Sequence, residues 1–382
     1  MSTSTKTTSD AASSSLQSGQ PGHPGLTIQA VRTTPVIVPL ARPIATASGS
    51  VENAPLILID METREGVTGR AYLFSYFPFA LKPLDALVRE LAAMTIGADV
   101  RPQALDAMLR ARFTLLGGTR GLAGIAVAGL EMAAWDALAV AAGLPLARML
   151  GAAPRPIRAY NSFGMIRPDG AEEAAENTVS QGMTGLKIKI GWPTLAEDVA
   201  VVRAVRRALP DSCALMVDFN QSLDATAAIT RSRALDHEGV YWIEEPVRCD
   251  DFSGSASVAR AIETPIQIGE NMAGTFELQT ALGASASDLL MLDVQQIGGV
   301  TGWMRGAALA HAAGRPVSSH AFVEFSAHLL AASPTCDWLE YFDKAHAILT
   351  EPLPVRQGSV AARETPGAGL AWDLDAVKRY QV

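Results

Sequence analysis

The sequence predicts an α/β protein, a closed parallel barrel of alternating strands and helices preceded by a smaller α+β module. Three observations carry this expectation. From Ile157 onward, short Val/Ile/Leu-rich runs alternate with amphipathic helical stretches, as in parallel strands joined by crossover helices. There are eight such runs, the number that closes a barrel rather than leaving an open sheet. Seven consecutive runs end in an ionisable residue, at spacings of 20 to 31 residues, about one strand–helix unit each time.

Residues 1–25 are rich in Ser, Thr and Gly with a single Leu, and read as a disordered tail. Leu26 to Leu40 is a strand; Leu56–Asp60 and Val67–Phe74 flank the turn Thr63-Arg64-Glu65-Gly66 and form a hairpin. Helical patterns follow at Leu81–Ala93, Ala104–Leu115 and Gly121–Ala142, completing an α+β module over 26–150. The barrel spans 151–345, with strands at Ile157–Asn161, Gly185–Ile190, Cys213–Asn220, Val240–Glu244, Pro265–Glu270, Leu289–Val294, Pro316–His320 and Asp337–Phe342. The last segment, 346–382, has no further strand–helix unit and is expected to be loop-like and to pack back on the first module.

The chain has 382 residues, and 31 basic against 39 acidic side chains leave a net charge of −8. With no Lys/Arg block, neither a nucleic acid nor an anionic membrane surface is an expected partner. Hydrophobic residues make up 48% and charged ones 18%, below the roughly 25% of average domains, which points to surface covered by further copies of the chain, a homo-oligomer. The tail has no apolar core of a secretory signal. The most apolar stretch, Gly121–Leu150, is interrupted by Glu131, Asp136, Gly143 and Pro145 and reads as a buried helix, not a membrane span. Cys213, Cys249 and Cys336 have no metal-type spacing and read as reduced thiols of a cytoplasmic protein.

In a parallel barrel, chemistry gathers at the carboxyl ends of the strands. Here those ends carry Lys187 and Lys189, Asp218 and Asn220, then Glu244, Glu270, Asp293, His320 and Glu340. Residues two apart on a strand share a face, so Lys187 pairs with Lys189 and Asp218 with Asn220. Taken singly, each has a plainer account: a solvated strand face for the lysines, a helix cap for a lone acid, a packed core histidine for His320. Seven in succession are better explained jointly, because so many buried charges must bind a cation or one another. Asp218, Glu244 and Glu270, without His or Cys among them, suit Mg²⁺. Lys189 and His320, on the second and seventh strands, can approach a substrate carbon from opposite sides. Asp293 is placed to orient the imidazole. Lys187 and the metal should depress the pKa of Lys189, making an amine base available. Glu340, if protonated, can donate to a developing enolate oxygen.

These residues resemble the enolase superfamily, and within it the mandelate racemase group, over everything after the tail. The matching motifs are Met132-Ala-Ala-Trp-Asp136, Lys187-x-Lys189, Met216-Val-Asp218-Phe-Asn220-Gln221, Trp242-Ile-Glu244-Glu-Pro246 and Gly269-Glu270-Asn271. They continue with Asp293, Ile297-Gly-Gly-Val-Thr-Gly302, Ser318-Ser-His320 and Trp338-Leu-Glu340. The resemblance implies a (β/α)7β modified TIM barrel under an N-terminal α+β capping domain, one Mg²⁺, and removal of a proton α to a carboxylate of a small 2-hydroxy acid. By matching positions it implies Asp218, Glu244 and Glu270 as metal ligands. Lys189 becomes the base for the (S) face, His320 with Asp293 the base for the (R) face, and Glu340 the electrophilic acid. Lys187 and Ser162 would hold the carboxylate, with Asn220 near the α-hydroxyl. It also suggests a large symmetric assembly, an octamer among the candidates.

In this family a loop of the capping domain covers the substrate's distal end, here about Ile44 to Pro55. The expected lining is Ile44, Val51, Tyr76, Ala321 and Phe342, mostly apolar, which favours an aryl group over a polyhydroxylated chain. Ser48 in the loop and the small Ala321 after His320 leave room for a substituted or larger ring. The leading expectation is a Mg²⁺-dependent racemase of mandelate or a related aryl 2-hydroxy acid. A sugar-acid dehydratase carries the same bases and is the alternative. A non-catalytic metal- and carboxylate-binding assembly protein is a distant third, since binding alone needs no bases on two faces.

Overall fold

The computed structural model describes residues 25–46 and 49–382; most of the expected tail (1–24) and Ser48 lie outside the described residues. Three strands, β1 (Ile28–Thr46), β2 (Gly49–Thr63) and β3 (Thr68–Phe74), form an antiparallel sheet in that order. Leu56, Ile57, Leu58 and Ile59 on the central strand are all buried, so both faces of the sheet are covered. Helices α1 (Pro78–Ala93), α2 (Pro102–Ala111), α3 (Leu122–Ala141) and the short α4 (Leu146–Met149) follow.

The expected loop over 44–55 is instead the far end of the β1–β2 hairpin, with Ile44 opposite Val51 and Thr46 opposite Gly49. A register irregularity between Pro39 and Ile44 interrupts the ladder, where the prolines Pro39 and Pro43 supply no N–H. The end of β1 lies against the barrel: a Cβ on Gly164 would meet the backbone of Ala45, and the Arg42 guanidinium stacks 3.3 Å from the Phe163 ring centroid. Strand pairing that resumes at Ile44, rather than a free loop, therefore carries Ile44 and Val51.

Eight parallel strands close the barrel: β4 (Ile157–Met165), β5 (Gly185–Lys189), β6 (Ala214–Asp218), β7 (Val240–Glu244), β8 (Ile266–Ile268), β9 (Leu289–Asp293), β10 (Val317–His320) and β11 (Cys336–Tyr341). They are bonded in chain order, and β11 returns to pair with β4. The crossovers are α5 (Ala171–Ser180), α6 (Leu195–Ala208), α7 (Ala225–Arg233), α8 (Phe252–Ala261), α9 (Thr275–Gly283), the pair α10 (Val294–Ile297) and α11 (Gly299–Ala312), and α12 (Val323–Ala331). This is a (β/α)7β barrel beside an α+β domain. Helix α6 starts with a reciprocal cap, Thr194 accepting from the Glu197 N–H and Glu197 from the Thr194 N–H.

Inside the barrel Tyr160, Met216, Trp242, Met291 and Trp338 form a separate buried cluster, with Tyr160 edge-on to Trp242 at 5.5 Å. Each sits two residues before a polar strand end: Ser162, Asp218, Glu244, Asp293 and Glu340. The two-residue period puts each pair on one inward face, so an apolar floor lies directly beneath the polar mouth.

The long apolar helix α3 passes a length-and-composition test for a membrane span, yet 78% of its most apolar window is buried inside the fold. Its two acids serve as clamps. Glu131 accepts from the Val300 and Thr301 N–H groups at 2.8 and 2.9 Å, and Asp136 from Arg70 and Ala368 at 2.7 and 2.6 Å. The C-terminal segment is not wholly loop-like: β12 (Ser359–Val360) adds to β4 and α13 (Leu374–Tyr380) ends the chain. Trp372 of this segment donates to Asp60 of β2, and Gln381 bridges to Val36 of β1.

Strand β3 crosses α3 without clearance, since a Cβ on Gly69 would meet the Ala133 carbonyl and the Ala137 backbone. Gly69→Ala should therefore destabilise by about 1–3 kcal/mol rather than give the usual gain from a stiffer unfolded chain, read as a lower urea midpoint.

Candidate active site

The strand register aligns the mouth. Lys189, Asp218 and Glu244 are successive partners across β5, β6 and β7, and Asp293 is opposite His320 across β9 and β10. Ser162 is opposite Lys187. Strands β5, β6, β7, β9 and β10 end at Lys189, Asp218, Glu244, Asp293 and His320, so these side chains converge where the backbone turns outward to the next helix. The turns are tight. Tyr76, Asn220, Gln221, Glu245, Ala321 and Phe322 have positive φ without being glycine, and they surround this mouth.

Asp218, Glu244 and Glu270 are buried and each offers an oxygen within 4.8 Å of the other two. Burial raises the Glu244 pKa well above the ordinary value; Lys187 opposes this while Asp218 and Glu270 add to it. Burial also pushes Glu270 up, but His320, Lys187 and Lys189 outweigh it and leave Glu270 lowered. Three mutually repelling carboxylates with no nitrogen or sulfur donor fit a hard divalent cation.

The two lysines divide the acids between them. Lys187 is fully buried, its ammonium 2.6 Å from Glu244 and 3.0 Å from Glu340. Expected to hold a substrate carboxylate, it is engaged beneath the mouth by these two acids. Lys189 lies 2.6 Å from Asp218 Oδ2. Burial and Lys187 lower its pKa as expected, but Asp218 and Glu270 prevail and the net shift is upward. The lowering expected from Lys187 is thus present but outweighed by the Asp218 carboxylate.

On the other side, His320 Nδ1 lies 2.6 Å from Asp293 Oδ2. The second oxygen of Asp293 accepts from the Gln295 and Gln296 N–H groups as the cap of α10, which holds the carboxylate rigidly. Nδ1–H therefore faces Asp293, and Nε2 turns to the mouth, 3.7 Å from Glu270 and 3.9 Å from Glu340. Burial lowers the imidazole's pKa, but Glu270 and Asp293 raise it further. Glu340 accepts from the Ala321 N–H at 3.0 Å as well as from Lys187. Burial pushes it up, yet Lys187, His320 and Lys344 hold it well below the usual carboxylate range. The donor role drawn for Glu340, conditional on its protonation, is thus opposed by Lys187, His320 and Lys344.

Asn220 donates to both oxygens of Asp218, from its backbone N–H at 2.7 Å and its side chain at 2.9 Å, while its own Oδ1 is buried without a partner among the described residues. Glu245, beside Glu244, is buried and accepts from Asn271 at 3.0 Å. Of the expected lining, Ile44 and Ala321 are buried and Val51, Tyr76 and Phe342 half-buried. Tyr76 packs against Phe74 with the rings tilted and centroids 4.7 Å apart, and its hydroxyl lies 3.4 Å from the Gln296 amide. Sequence reasoning missed Lys344, a buried lysine held between Phe74 and Phe342. Lying past the end of β11, outside any strand alternation, it offered no pattern to find it by.

Residues 28–151 match the model of the mandelate racemase / muconate lactonizing enzyme N-terminal domain, and residues 169–376 the enolase C-terminal domain-like model. The chain is 30% identical to an L-talarate/galactarate dehydratase of Salmonella typhimurium, covering 93% of this chain and 91% of that protein. It is also 30% identical to a 3,6-anhydro-alpha-L-galactonate cycloisomerase of Streptomyces coelicolor, covering 93% and 99%. Among solved structures it is similar to an enolase from Bradyrhizobium complexed with magnesium and mandelic acid, at 44% identity and a TM-score of 0.91, covering 94% of this chain and 99% of that one.

Two outcomes follow from the charge arrangement. Replacing Lys187 by Met leaves Glu244 and Glu340 buried and uncompensated, and should cost about 3–5 kcal/mol in urea unfolding with chelator present. Asp218→Ala, Glu244→Ala or Glu270→Ala should each weaken Mg²⁺ binding, measured by calorimetry, by more than the roughly 10–100-fold typical of changes around a metal's ligands.

Proposed function

The chain belongs to the mandelate racemase / muconate lactonizing enzyme family of the enolase superfamily, and from that premise we propose a Mg²⁺-dependent racemase of an aryl 2-hydroxy acid. The observation that carries this reading is the pair of proton-transfer groups flanking the carboxylate trio, Lys189 on β5 and the His320–Asp293 dyad on β9 and β10. Asp218, Glu244 and Glu270 would hold Mg²⁺. When bound, the ion supplies positive charge that stabilises the negative charge growing on the substrate carboxylate.

Neutral His320 takes the α-proton of one enantiomer through Nε2, and Asp293 stabilises the imidazolium that results. Lys189, in its ammonium form, returns a proton to the opposite face of the carbon. The reverse direction exchanges the two roles. In this scheme Glu340 remains ionised and keeps Lys187 in place, while Ser162 and Asn220 border the bound carboxylate and α-hydroxyl. Ile44, Val51, Ala321 and Phe342 give the distal end an apolar wall suited to a ring. The mandelic acid complex of the Bradyrhizobium relative supports that substrate class.

A second reading, sugar-acid dehydration, is favoured by the 30% identity to the L-talarate/galactarate dehydratase. There the histidine would act as the acid that expels a β-hydroxyl.

Enantiopure mandelate in D2O with Mg²⁺ should lose its α-hydrogen and its optical rotation, and chelator should abolish both changes. Lys189→Ala should suppress exchange from the (S) enantiomer, and His320→Asn from the (R), by roughly 10²–10⁴-fold. Retention of both α-hydrogen and rotation by the wild type overturns the racemase. A 2-keto product from a panel of acid sugars would establish the dehydratase in its place.

A further inference from the structure

Lys344 has no place in the proton transfers above, yet it is one of the most enclosed cations in the molecule. It is 3% exposed and, among the described residues, its ammonium has no hydrogen-bond partner. Its Nζ lies 4.3 Å from the ring centroids of Phe74 and Phe342 and 5.8 Å from that of Phe322. Phe74 comes from the capping domain, Phe342 follows β11 and Phe322 precedes α12, so the cage spans the seam between the two domains. Ring faces partly offset the loss of water around an ammonium but accept none of its N–H bonds in the way an oxygen does.

Two of the rings around the amine adjoin the mouth, Phe322 two residues after His320 and Phe342 two after Glu340. Burial draws the amine's pKa down to about 8, while Glu340, Asp293 and Glu270 pull it upward and Lys189 pushes it down. Its charge is felt in turn at His320 and Glu340. The wall it occupies is continuous with Tyr76, which packs on Phe74, and with Phe342. It is therefore a donor set into an otherwise apolar wall, on the His320 side of the mouth.

We propose that Lys344 is a specificity-determining residue whose ammonium binds an oxygen acceptor, a carboxylate foremost, at the end of the substrate remote from the reacting carbon. This rests on the 2-hydroxy-acid reading and narrows it: the natural acid carries a distal oxygen, on a ring or on a chain, rather than an unsubstituted phenyl group. An unsubstituted ring would leave all three N–H donors buried and unspent, whereas a carboxylate or hydroxyl takes at least one of them in a charge-assisted bond. The flanking phenylalanines would then pack on the substrate's apolar body.

The test compares Mg²⁺-loaded wild type, Lys344→Met and Lys344→Arg on mandelate, 4-hydroxymandelate, 4-carboxymandelate and galactarate. Binding is read by calorimetry and α-hydrogen exchange in D2O. The wild type should favour at least one distal-carboxylate acid over mandelate by roughly 10- to 100-fold, the worth of one charge-assisted bond. Preference for 4-carboxymandelate identifies the ring-borne source, and preference for galactarate the sugar chain. Lys344→Met should abolish that ratio and Lys344→Arg retain part of it. A wild type that binds mandelate as well as every acceptor-bearing acid overturns the proposal without any variant being needed. A ratio unchanged in Lys344→Met also overturns it. Absence of exchange from every acid defeats the proton-transfer reading instead, and the binding ratios then still decide the role of Lys344.

Discussion

Everything at the mouth depends on the buried ion pairing of Lys187 with Glu244 and Glu340. The three side chains come from β5, β7 and β11, and together they neutralise part of a charge density that the interior would otherwise reject. Because Lys187 ties down one candidate metal ligand and the acid beneath His320, the same contact fixes positions on both flanks of the cavity. Above it, Lys189 and the His320–Asp293 pair can each be held by a single carboxylate. Below it, the ring of Tyr160, Met216, Trp242, Met291 and Trp338 keeps water from entering through the barrel floor. The polar layer is thus stable only as a set.

Much of this was legible in the sequence because a barrel strand is short and strictly periodic. The run ending in Trp242-Ile-Glu244 shows the logic: an inward aromatic, an outward aliphatic, an inward acid, then a turn. The same rhythm marks Met216 with Asp218 and Met291 with Asp293, so the strands and the convergence of their polar ends could be read without coordinates. Protonation states were another matter. The pull of Asp218 on Lys189 and of Lys187 on Glu340 depends on distances that no spacing reveals. Lys344 escaped for a different reason. It lies in an irregular segment, and only the meeting of Phe74 with Phe342, 268 residues later in the chain, makes it a buried cation.

The capping sheet shows the limit of local signals as well. Prolines at 35, 39 and 43 argue against a long strand, yet β1 continues to Thr46 because its partner β2 and the close approach at Gly164 hold it there. A similar override operates at Asn220, Glu245 and Ala321, whose left-handed backbones are imposed by the packing of the mouth and not by intrinsic preference. Such positions are where local rules fail most often, and here they border the chemistry.

Helix α3 has a consequence for how this architecture could be taken apart. Its Glu131 is satisfied by backbone donors at the head of α11, and its Asp136 by β3 on one side and the C-terminal segment on the other. A two-fragment reconstitution cut between the cap and the barrel would strand Glu131 in an apolar helix and leave Asp136 only its β3 donor until the pieces met again. The two halves are therefore obligate partners, and any recombination with related chains must exchange α3 together with the backbone amides that neutralise it.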